Sequence, residues 1–161
     1  MNRIHHLEMS ERADFRPARE VPELHVRAVL PPEPALNSRF YEQVGGDWQW
    51  TDRLPWSAEE WIAYAARPEL HTFVGTLADE EVGYFELEEQ EGGDVEIALF
   101  GLLPAFIGRG VGGAFLSAAV DRAWTLPGTE RVWVHTCTHD HEHALANYEK
   151  RGFRVFKIED A

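Results

Sequence analysis

A short glycine-rich segment constrains this chain more than any other part of its sequence: residues 107–113 read Ile-Gly-Arg-Gly-Val-Gly-Gly. Apolar residues suited to a strand precede it, and small and apolar residues at helical spacing follow it. Glycines in such a turn let consecutive backbone N–H groups converge at a helix N-terminus, where they can bind phosphate. The segment therefore predicts a phosphate-binding loop, unless its glycines serve only to let the helix pack closely on the strand.

The same segment also matches the dinucleotide fingerprint G-x-G-x-x-G, at Gly108, Gly110 and Gly113. That fingerprint belongs in the first strand-to-helix turn of a parallel unit, with an acidic residue at the end of the second strand. Here an antiparallel meander is predicted before the loop, and Glu130 stands at the start of the next strand. The context favours a different phosphate ligand and leaves a dinucleotide enzyme as an alternative.

The composition indicates one folded domain, residues 1–161, with cationic partners. A chain of 161 residues, 44% of them apolar, can bury a core of its own. Its formal net charge of −13 opposes binding to nucleic acid or to an anionic membrane, since both require clustered Lys and Arg. Cys137 is the only cysteine, and no apolar run near the N-terminus suits export, so we expect a cytoplasmic protein.

Periodicity and turn signals predict a mixed α/β fold, an α+β mixed sheet with an antiparallel N-terminal meander and a strand-helix-strand-helix-strand C-terminal half. The predicted strands cover residues 24–30, 72–77, 82–88, 94–103, 131–137 and 153–158. The predicted helices cover residues 35–44, 57–66, 110–124 and 140–150. A capping box is expected at Ser57 and Glu60, and a helix C-cap at Gly152. Residues 1–23 are predicted to be an N-terminal extension or an extra edge strand, with Ile4–Met9 as the candidate strand.

Two motifs resemble those of the GNAT superfamily of N-acetyltransferases. The central motif of that family is Gln or Arg, any two residues, Gly, any residue, then Gly or Ala; within Ile107–Gly112, Gly110 and Gly112 match it. Leu102-Leu103-Pro104 resembles the end of the family's preceding strand, and Ala144–Phe153, ALANYEKRGF, resembles its C-terminal motif. The resemblance extends over about residues 24–158.

The chain departs from the family pattern at three points. Ile107 replaces the usual Gln or Arg, which keeps a non-catalytic acyl-CoA-binding or regulatory module as the alternative to an enzyme. His141 stands where an Asn is common, seven residues before Tyr148. One strand is predicted after Tyr148 where the family usually has two, so Ile4–Met9 is a candidate to complete the sheet.

The resemblance implies an acetyl-CoA-dependent N-acetyltransferase that moves the acetyl group to a primary amine by direct transfer through a tetrahedral intermediate. The backbone of Leu102 would meet the pantetheine arm and the thioester oxygen, and the glycine loop would hold the pyrophosphate. Because Ile107 is apolar, we expect phosphate binding to rest on backbone N–H groups and on Arg109. The cofactor-binding residues expected on this basis are Leu102, Ile107, Gly108, Arg109, Gly110, Val111, Gly112, Gly113 and His141.

By the same resemblance, Tyr148 protonates the departing thiolate, although a core tyrosine with a satisfied hydroxyl is the structural alternative. Glu96 is the candidate base, because it lies eleven residues before the central motif, the spacing of the basic glutamate in the histone-acetyltransferase branch. Strand alternation places Glu96 on one face with Phe100 and Leu102. Glu86 is the reserve, and the acidic run around both glutamates is otherwise typical of a solvated hairpin.

Candidates for the acceptor site are Trp48 and Trp50, between the first two predicted helices, together with Glu86 and Phe100. Tryptophans in such a stretch can equally anchor a long loop to the core. The expected acceptor is a small-molecule or peptide amine, cationic because the surrounding carboxylates would attract it. Neither nucleic acid nor membrane is expected as a partner, and monomer and homodimer stay open.

Histidines and the cysteine near the C-terminus have the residue types of a metal site: His135, Cys137, His139, His141 and His143. A helix cap predicted at Asp140 would keep His139 and His143 from sharing a helix, and we expect no metal. Cys137 assisted by His135 is an alternative nucleophile.

Overall fold

The computed structural model describes residues 2–48, 50–138 and 143–160. Within these ranges the strands are β1 (Arg3–Met9), β2 (Leu24–Ala28), β3 (Leu70–Leu77), β4 (Glu80–Glu89), β5 (Asp94–Leu102), β6 (Arg131–Cys137) and β7 (Arg154–Asp160). The α-helices are α1 (Pro34–Gly45), α2 (Ala58–Ala65), α3 (Gly112–Thr125) and α4 (Ala144–Lys150). These elements follow the order predicted from the sequence.

All of these strands join one sheet, in the order β2-β3-β4-β5-β6-β1-β7. Strands β2 to β5 form an antiparallel meander, whereas β5 and β6 run parallel, connected through α3. The predicted mixed α/β fold is confirmed. Local signals predicted two helix ends correctly. Ser57 and Glu60 form the expected capping box at the start of α2. Gly152, with a φ of +105°, follows the end of α4 as the expected C-cap. The cap predicted at Asp140 lies outside the described residues.

The N-terminal strand β1 does not lie at an edge, so that part of the prediction was wrong. It pairs antiparallel with β6 on one side and with β7 on the other. Its Leu7 and Met9 side chains are only 0% and 1% exposed and belong to the main core. A strand with buried apolar residues on one face is stabilised more by two hydrogen-bonded neighbouring strands than by one. In this protein β1 completes the sheet between β6 and β7.

Helices cover both faces of the sheet. On one face, Phe115 and Leu116 of α3 pack fully buried against the central strands. On the other face, Phe40 of α1 stacks on Tyr84 of β4 with 5.0 Å between ring centroids. These two cores hold β4 and β5 rigidly between the helices, so side chains on β5 have well-defined positions.

A bulge in β5 changes which face each of its side chains occupies. Glu86 pairs with Leu99 while the next residue, Leu87, pairs with Ile97, so Ala98 is an extra residue in β5. Beyond it Phe100 packs on the α3 side, whereas Glu96 points to the α1 side. The prediction that Glu96 shares a face with Phe100 and Leu102 was therefore wrong, because one inserted residue reverses the alternation.

Candidate active site

A cleft opens where β5 and β6 part. The two strands pair only between Asp94–Glu96 and Arg131–Trp133, although β5 continues to Leu102 and β6 to Cys137. Residues of both strands beyond this point line a cleft of about 1340 Å³. Among the described residues, β5 has no partner strand on its cleft side after Glu96, so its backbone groups there can bind an extended ligand.

The glycine loop forms one end of this cleft, which Gly108, Gly110, Gly112 and Gly113 line. Gly108 and Gly110 have φ values of +79° and +80°, a conformation that favours glycine. Helix α3 begins at Gly112, and the side chain of its N-cap residue, Val111, makes no capping hydrogen bond. The first N–H groups of α3, at the positive end of the helix dipole, are thus oriented as an anion site requires.

Three other loop residues predicted to bind the cofactor, Ile107, Arg109 and Val111, do not direct a free donor group into the cleft. Ile107 lines the cleft, but its N–H donates to the carbonyl of Pro104 at 3.3 Å. Val111 is buried in a small core, and Arg109 is exposed, outside the cleft lining, with its guanidinium 5.1 Å from the ring centroid of Phe106. His141 lies outside the described residues. The loop donors that face the cleft are fewer than the sequence suggested.

Two residues of the α4 region that the sequence analysis did not assign reach the same place. A Cβ on Gly113 would lie 2.9 Å from Nη1 of Arg151, and Nδ2 of Asn147 donates to the carbonyl of Gly112 at 3.3 Å. Both side chains line the cleft. Nε of Arg151 is buried with no hydrogen-bond partner among the described residues, and burial lowers the pKa of this side chain. The sequence signal that could have identified Asn147 and Arg151 was their position in the ALANYEKRGF motif, residues 144–153.

Tyr148 belongs to both the core and the cleft. It is 6% exposed, it lines the cleft, and its ring lies 6.4 Å from that of Phe100 and 5.9 Å from that of Phe153. Leu102 and Phe100 line the same cleft from β5. The structure thus brings Tyr148, the glycine loop and the end of β5 together.

Glu96 lies where β5 and β6 part, next to a histidine. Its Oε2 is 3.1 Å from Nδ1 of His135, and its Oε1 accepts a hydrogen bond from Nε2 of Gln90 at 3.1 Å. The Glu96 side chain is 12% exposed and that of His135 is 47% exposed. Pairing across β5 and β6 accounts for this contact, because Glu96 aligns with Trp133, two residues before His135.

Aromatic side chains also line the cleft. Trp48, Trp50, Tyr41 and Tyr64 contribute to its wall. Trp50 packs on Tyr41 at 5.6 Å and against the α1 core, so it both anchors the loop and faces the cleft. The two interpretations of these tryptophans are therefore compatible.

Beneath this wall, the guanidinium of Arg53 lies inside an aromatic box, an arrangement the sequence analysis missed. The ring centroids lie between 4.2 and 5.6 Å from Cζ of Arg53 and belong to Tyr41, Trp56, Trp61 and Tyr64. Burial is the largest single influence and acts to lower the pKa of Arg53, but the Glu86 carboxylate, Tyr64 and Tyr84 together outweigh it and raise that pKa. Four aromatic faces and a carboxylate together stabilise this cation.

Glu86 lies behind the cleft wall and is 0% exposed. Its carboxylate accepts hydrogen bonds from Tyr64 Oη at 2.6 Å, Asn37 Nδ2 at 2.9 Å and Arg53 Nη1 at 3.1 Å. Burial, followed by the charge of Glu86, raises the pKa of Tyr64. The geometry gives Glu86 a supporting position behind the aromatic wall of the cleft and no direct access to the cleft.

The described ranges contain no group of three His, Cys, Asp or Glu side chains arranged to hold a metal ion. No helix in the same ranges has the length and apolar character needed to cross a membrane.

The fold and the site define a class: mixed α/β proteins whose sheet opens between two parallel strands, with a glycine-rich helix N-terminus at the opening. Residues 35–153 match the acetyltransferase (GNAT) family, so the chain belongs to that family. No curated protein sequence matches it significantly.

Solved structures show the same fold at low sequence identity. A GCN5-related N-acetyltransferase from Sphaerobacter thermophilus superposes with a TM-score of 0.70 at 19% identity, covering 98% of this chain and 49% of that one. The corresponding protein from Kribbella flavida gives 0.68 at 17% identity, covering 95% and 54%. The chain thus spans about half the length of these two. An aminoglycoside acetyltransferase from an uncultured soil metagenomic sample gives 0.64 at 16% identity, covering 81% and 88%.

Proposed function

We propose that this protein transfers the acetyl group of acetyl-CoA to a primary amine. One observation carries the proposal: Tyr148, the N-terminus of α3 and the unpaired edge of β5 all face a single cleft. Membership of the acetyltransferase family supports group transfer at this site. Cytoplasmic residence and a monomeric or homodimeric state remain predictions from the sequence.

The cleft residues fit acetyl-CoA. Its pyrophosphate would lie against the N–H groups of Gly112 and Gly113, where the guanidinium of Arg151 adds positive charge through Nη1, 2.9 Å from the position of a Cβ on Gly113. The pantetheine arm, which carries amide groups, would extend along the free edge of β5 near Leu102. When bound, the thioester supplies an activated acetyl carbon.

The reaction needs a neutral amine and a protonated leaving group. The carboxylate of Glu96, acting directly or through water, would promote loss of a proton from the ammonium form of the acceptor. Attack on the thioester carbon then forms the C–N bond and breaks the C–S bond. Tyr148, which lines the cleft, would protonate the thiolate.

A cationic acceptor fits the aromatic part of the cleft lining. Trp48 and Trp50 contribute aromatic rings, and Asp52, Glu88 and Glu96 contribute carboxylates. Burial acts to raise the pKa of Glu88, but hydrogen bonds from Gln90 and Arg67 outweigh it and lower that pKa, so its charge persists at neutral pH. Aromatic faces and carboxylates together favour ammonium groups.

Thiol release with a panel of primary amines tests this function, with Tyr148→Phe as the first variant. We expect kcat to fall about 100-fold, because the thiolate loses its proton donor. Tyr84→Phe is the matched control, since its hydroxyl is buried, has no hydrogen-bond partner among the described residues, and lies in the α1 core. If Tyr148→Phe turns over as fast as the wild type at every pH, Tyr148 is not the acid. Calorimetric binding of CoA without turnover of any amine would instead favour a binding module.

A further inference from the structure

Two exposed arginines, Arg16 and Arg19, lie in the segment that connects β1 to β2, residues 10–23. A third arginine of this segment, Arg12, is paired with Asp121 of α3 at 3.0 Å. Neither Arg16 nor Arg19 forms an ion pair with any residue that the structure describes. An exposed guanidinium without an acidic partner can bind an anion from solution.

Hydrogen bonds and packing fix this connecting segment beside the glycine end of the cleft. The N–H of Arg16 donates to the carbonyl of Arg151 at 2.9 Å, and the N–H of Ala18 donates to Oγ of Ser117 at 2.8 Å. Ser117 donates in turn to the carbonyl of Gly113 at 2.8 Å. The Cβ of Ala18 lies 3.1 Å from a Cβ placed on Gly113. The backbone that carries the two arginines is therefore held next to the N-terminus of α3.

The end of α4 meets the same part of the molecule and carries further cations. Lys150 and Arg151 both line the cleft, and Nη1 of Arg151 lies 2.9 Å from a Cβ placed on Gly113. A Cβ on Gly152 would contact the carbonyl oxygen of Asp14 in the connecting segment. The N-terminus of α3 thus has positively charged residues on both segments that adjoin it.

The covalent order of CoA determines which of its groups would meet the connecting segment. The pyrophosphate joins the pantetheine arm to an adenosine, whose ribose carries a phosphate monoester on its 3′ oxygen. With the pyrophosphate against Gly112 and Gly113 and the pantetheine arm along β5, the adenosine would leave the glycine loop on the outer side. Arg16 and Arg19 lie outside the cleft lining and beside this loop. A phosphate monoester carries a charge of about −1.5 to −2 at pH 7, which guanidinium groups bind well.

We propose that Arg16 and Arg19 bind the ribose phosphate of acetyl-CoA, so that the protein distinguishes CoA thioesters from thioesters of dephospho-CoA. The inference rests on the proposed acetyl transfer and adds a binding site for the nucleotide end of the cosubstrate. Because the chain has a net charge of −13, a ligand with a further phosphate needs local cations to offset the repulsion. The pyrophosphate is common to both compounds, so the ribose phosphate alone sets the preference.

Calorimetric titration of the full chain with CoA and with dephospho-CoA tests this site without any turnover. We expect the wild type to bind dephospho-CoA about tenfold more weakly, as the loss of a charge-assisted contact predicts. In the double variant Arg16→Gln/Arg19→Gln, the affinity for CoA should fall to that for dephospho-CoA, which itself should change by no more than about twofold. Thermal unfolding checks that the double variant is folded, since glutamine keeps the backbone N–H that Arg16 donates to Arg151.

Salt provides a second measurement on the same pair of ligands. Raising the NaCl concentration from about 0.02 M to about 0.5 M should reduce the preference of the wild type for CoA, because salt screens exposed charges. The double variant should show no such change in preference, since both of its ligands then meet the same uncharged side chains.

Arg27→Gln is the matched control, because it removes the same charge from an exposed position on β2. Its neighbour Val26 accepts a hydrogen bond from Nη2 of Arg122 at 3.1 Å. Arg122 lies ten residues after Gly112 on α3, about 15 Å along the helix. The control should therefore keep the wild-type preference for CoA.

Each possible result of the titrations decides between the two proposals. Equal affinity of the wild type for CoA and dephospho-CoA would overturn this inference and leave the proposed acetyl transfer intact. A preference that persists in the double variant would assign the ribose phosphate to other cations, such as Lys150, and a comparable loss in Arg27→Gln would assign it to net charge; either result overturns the inference. A chain that prefers CoA through these arginines but releases no thiol with any amine would overturn the proposed function alone. Failure to bind either compound would overturn both.

Discussion

Nη1 of Arg53 lies 3.1 Å from Oε1 of Glu86, in an ion pair whose carboxylate is 0% exposed and whose guanidinium side chain is 13% exposed. The pair connects the loop after α1 to the middle of β4, and it supports the aromatic wall of the cleft from behind. Its energetic role follows from its burial, since a buried charge that loses its partner is strongly destabilising.

We expect Arg53→Ala to lower the free energy of unfolding by about 3–5 kcal/mol, because Glu86 would remain buried without a cationic partner. Arg12→Ala is the control, since the Arg12–Asp121 pair is more than half exposed and should cost at most about 1 kcal/mol. Urea unfolding measures both variants. Equal losses in the two variants would show that burial does not set the strength of the Arg53–Glu86 pair.

The buried tyrosines predict a loss of stability at alkaline pH. Burial raises the pKa of Tyr41, Tyr64 and Tyr84 above the ordinary value of 10.0, and Glu86 adds to the rise for Tyr64 and Tyr84. A raised pKa in the folded state contributes stability that is complete below about pH 10 and is lost as the pH increases, by about 1.4 kcal/mol per pH unit for each group.

Tyr64→Phe removes one of these groups, so its stability should decline less steeply above about pH 10. Urea unfolding from about pH 8 to pH 11 measures the two slopes. Identical slopes for the wild type and the variant would contradict the role of Tyr64. Because the variant also loses a hydrogen bond to the Glu86 carboxylate, its stability at neutral pH is expected to be lower, by about 1.5–3 kcal/mol.

Leu7 tests the position of β1 inside the sheet. Its side chain is 0% exposed in the main core, so Leu7→Ala should cost about 2–5 kcal/mol. Leu54→Ala, at a residue that is 52% exposed, should change stability by no more than about 0.5 kcal/mol. A small effect of Leu7→Ala in thermal unfolding would mean that β1 does not occupy the place between β6 and β7.

A substitution at Gly110 tests the glycine loop through its backbone conformation, because an added Cβ would contact no side chain there. Its φ of +80° disfavours alanine by about 1–2 kcal/mol, although no atom lies within 4 Å of a Cβ placed there. We expect Gly110→Ala to weaken acetyl-CoA binding about tenfold in calorimetry, because the loop must change its conformation. The control is Gly46→Ala, where φ is −58° and a Cβ meets equally open space. Unchanged affinity of Gly110→Ala for acetyl-CoA would show that the conformation of this loop does not contribute to phosphate binding.

Local sequence signals determined much of this protein. The capping box at Ser57, the C-cap at Gly152 and the glycine loop before α3 each act within a few residues, so their chemistry could be recognised directly. The motif around Tyr148 likewise predicted a residue that the structure places in the cleft. The order of strands and helices followed from short-range periodicity in the same way.

Only the tertiary structure decided how distant segments meet. Whether β1 lies at an edge or between β6 and β7 depends on pairing across more than a hundred residues, and no local pattern specifies it. The bulge at Ala98 reverses the face of Glu96 through its register with β4. The contact between Glu96 and His135 arises because β5 and β6 align in parallel before they part. Sequence periodicity predicts which elements form, whereas strand register and packing, which sum weak contacts over the whole chain, decide which side chains share a site.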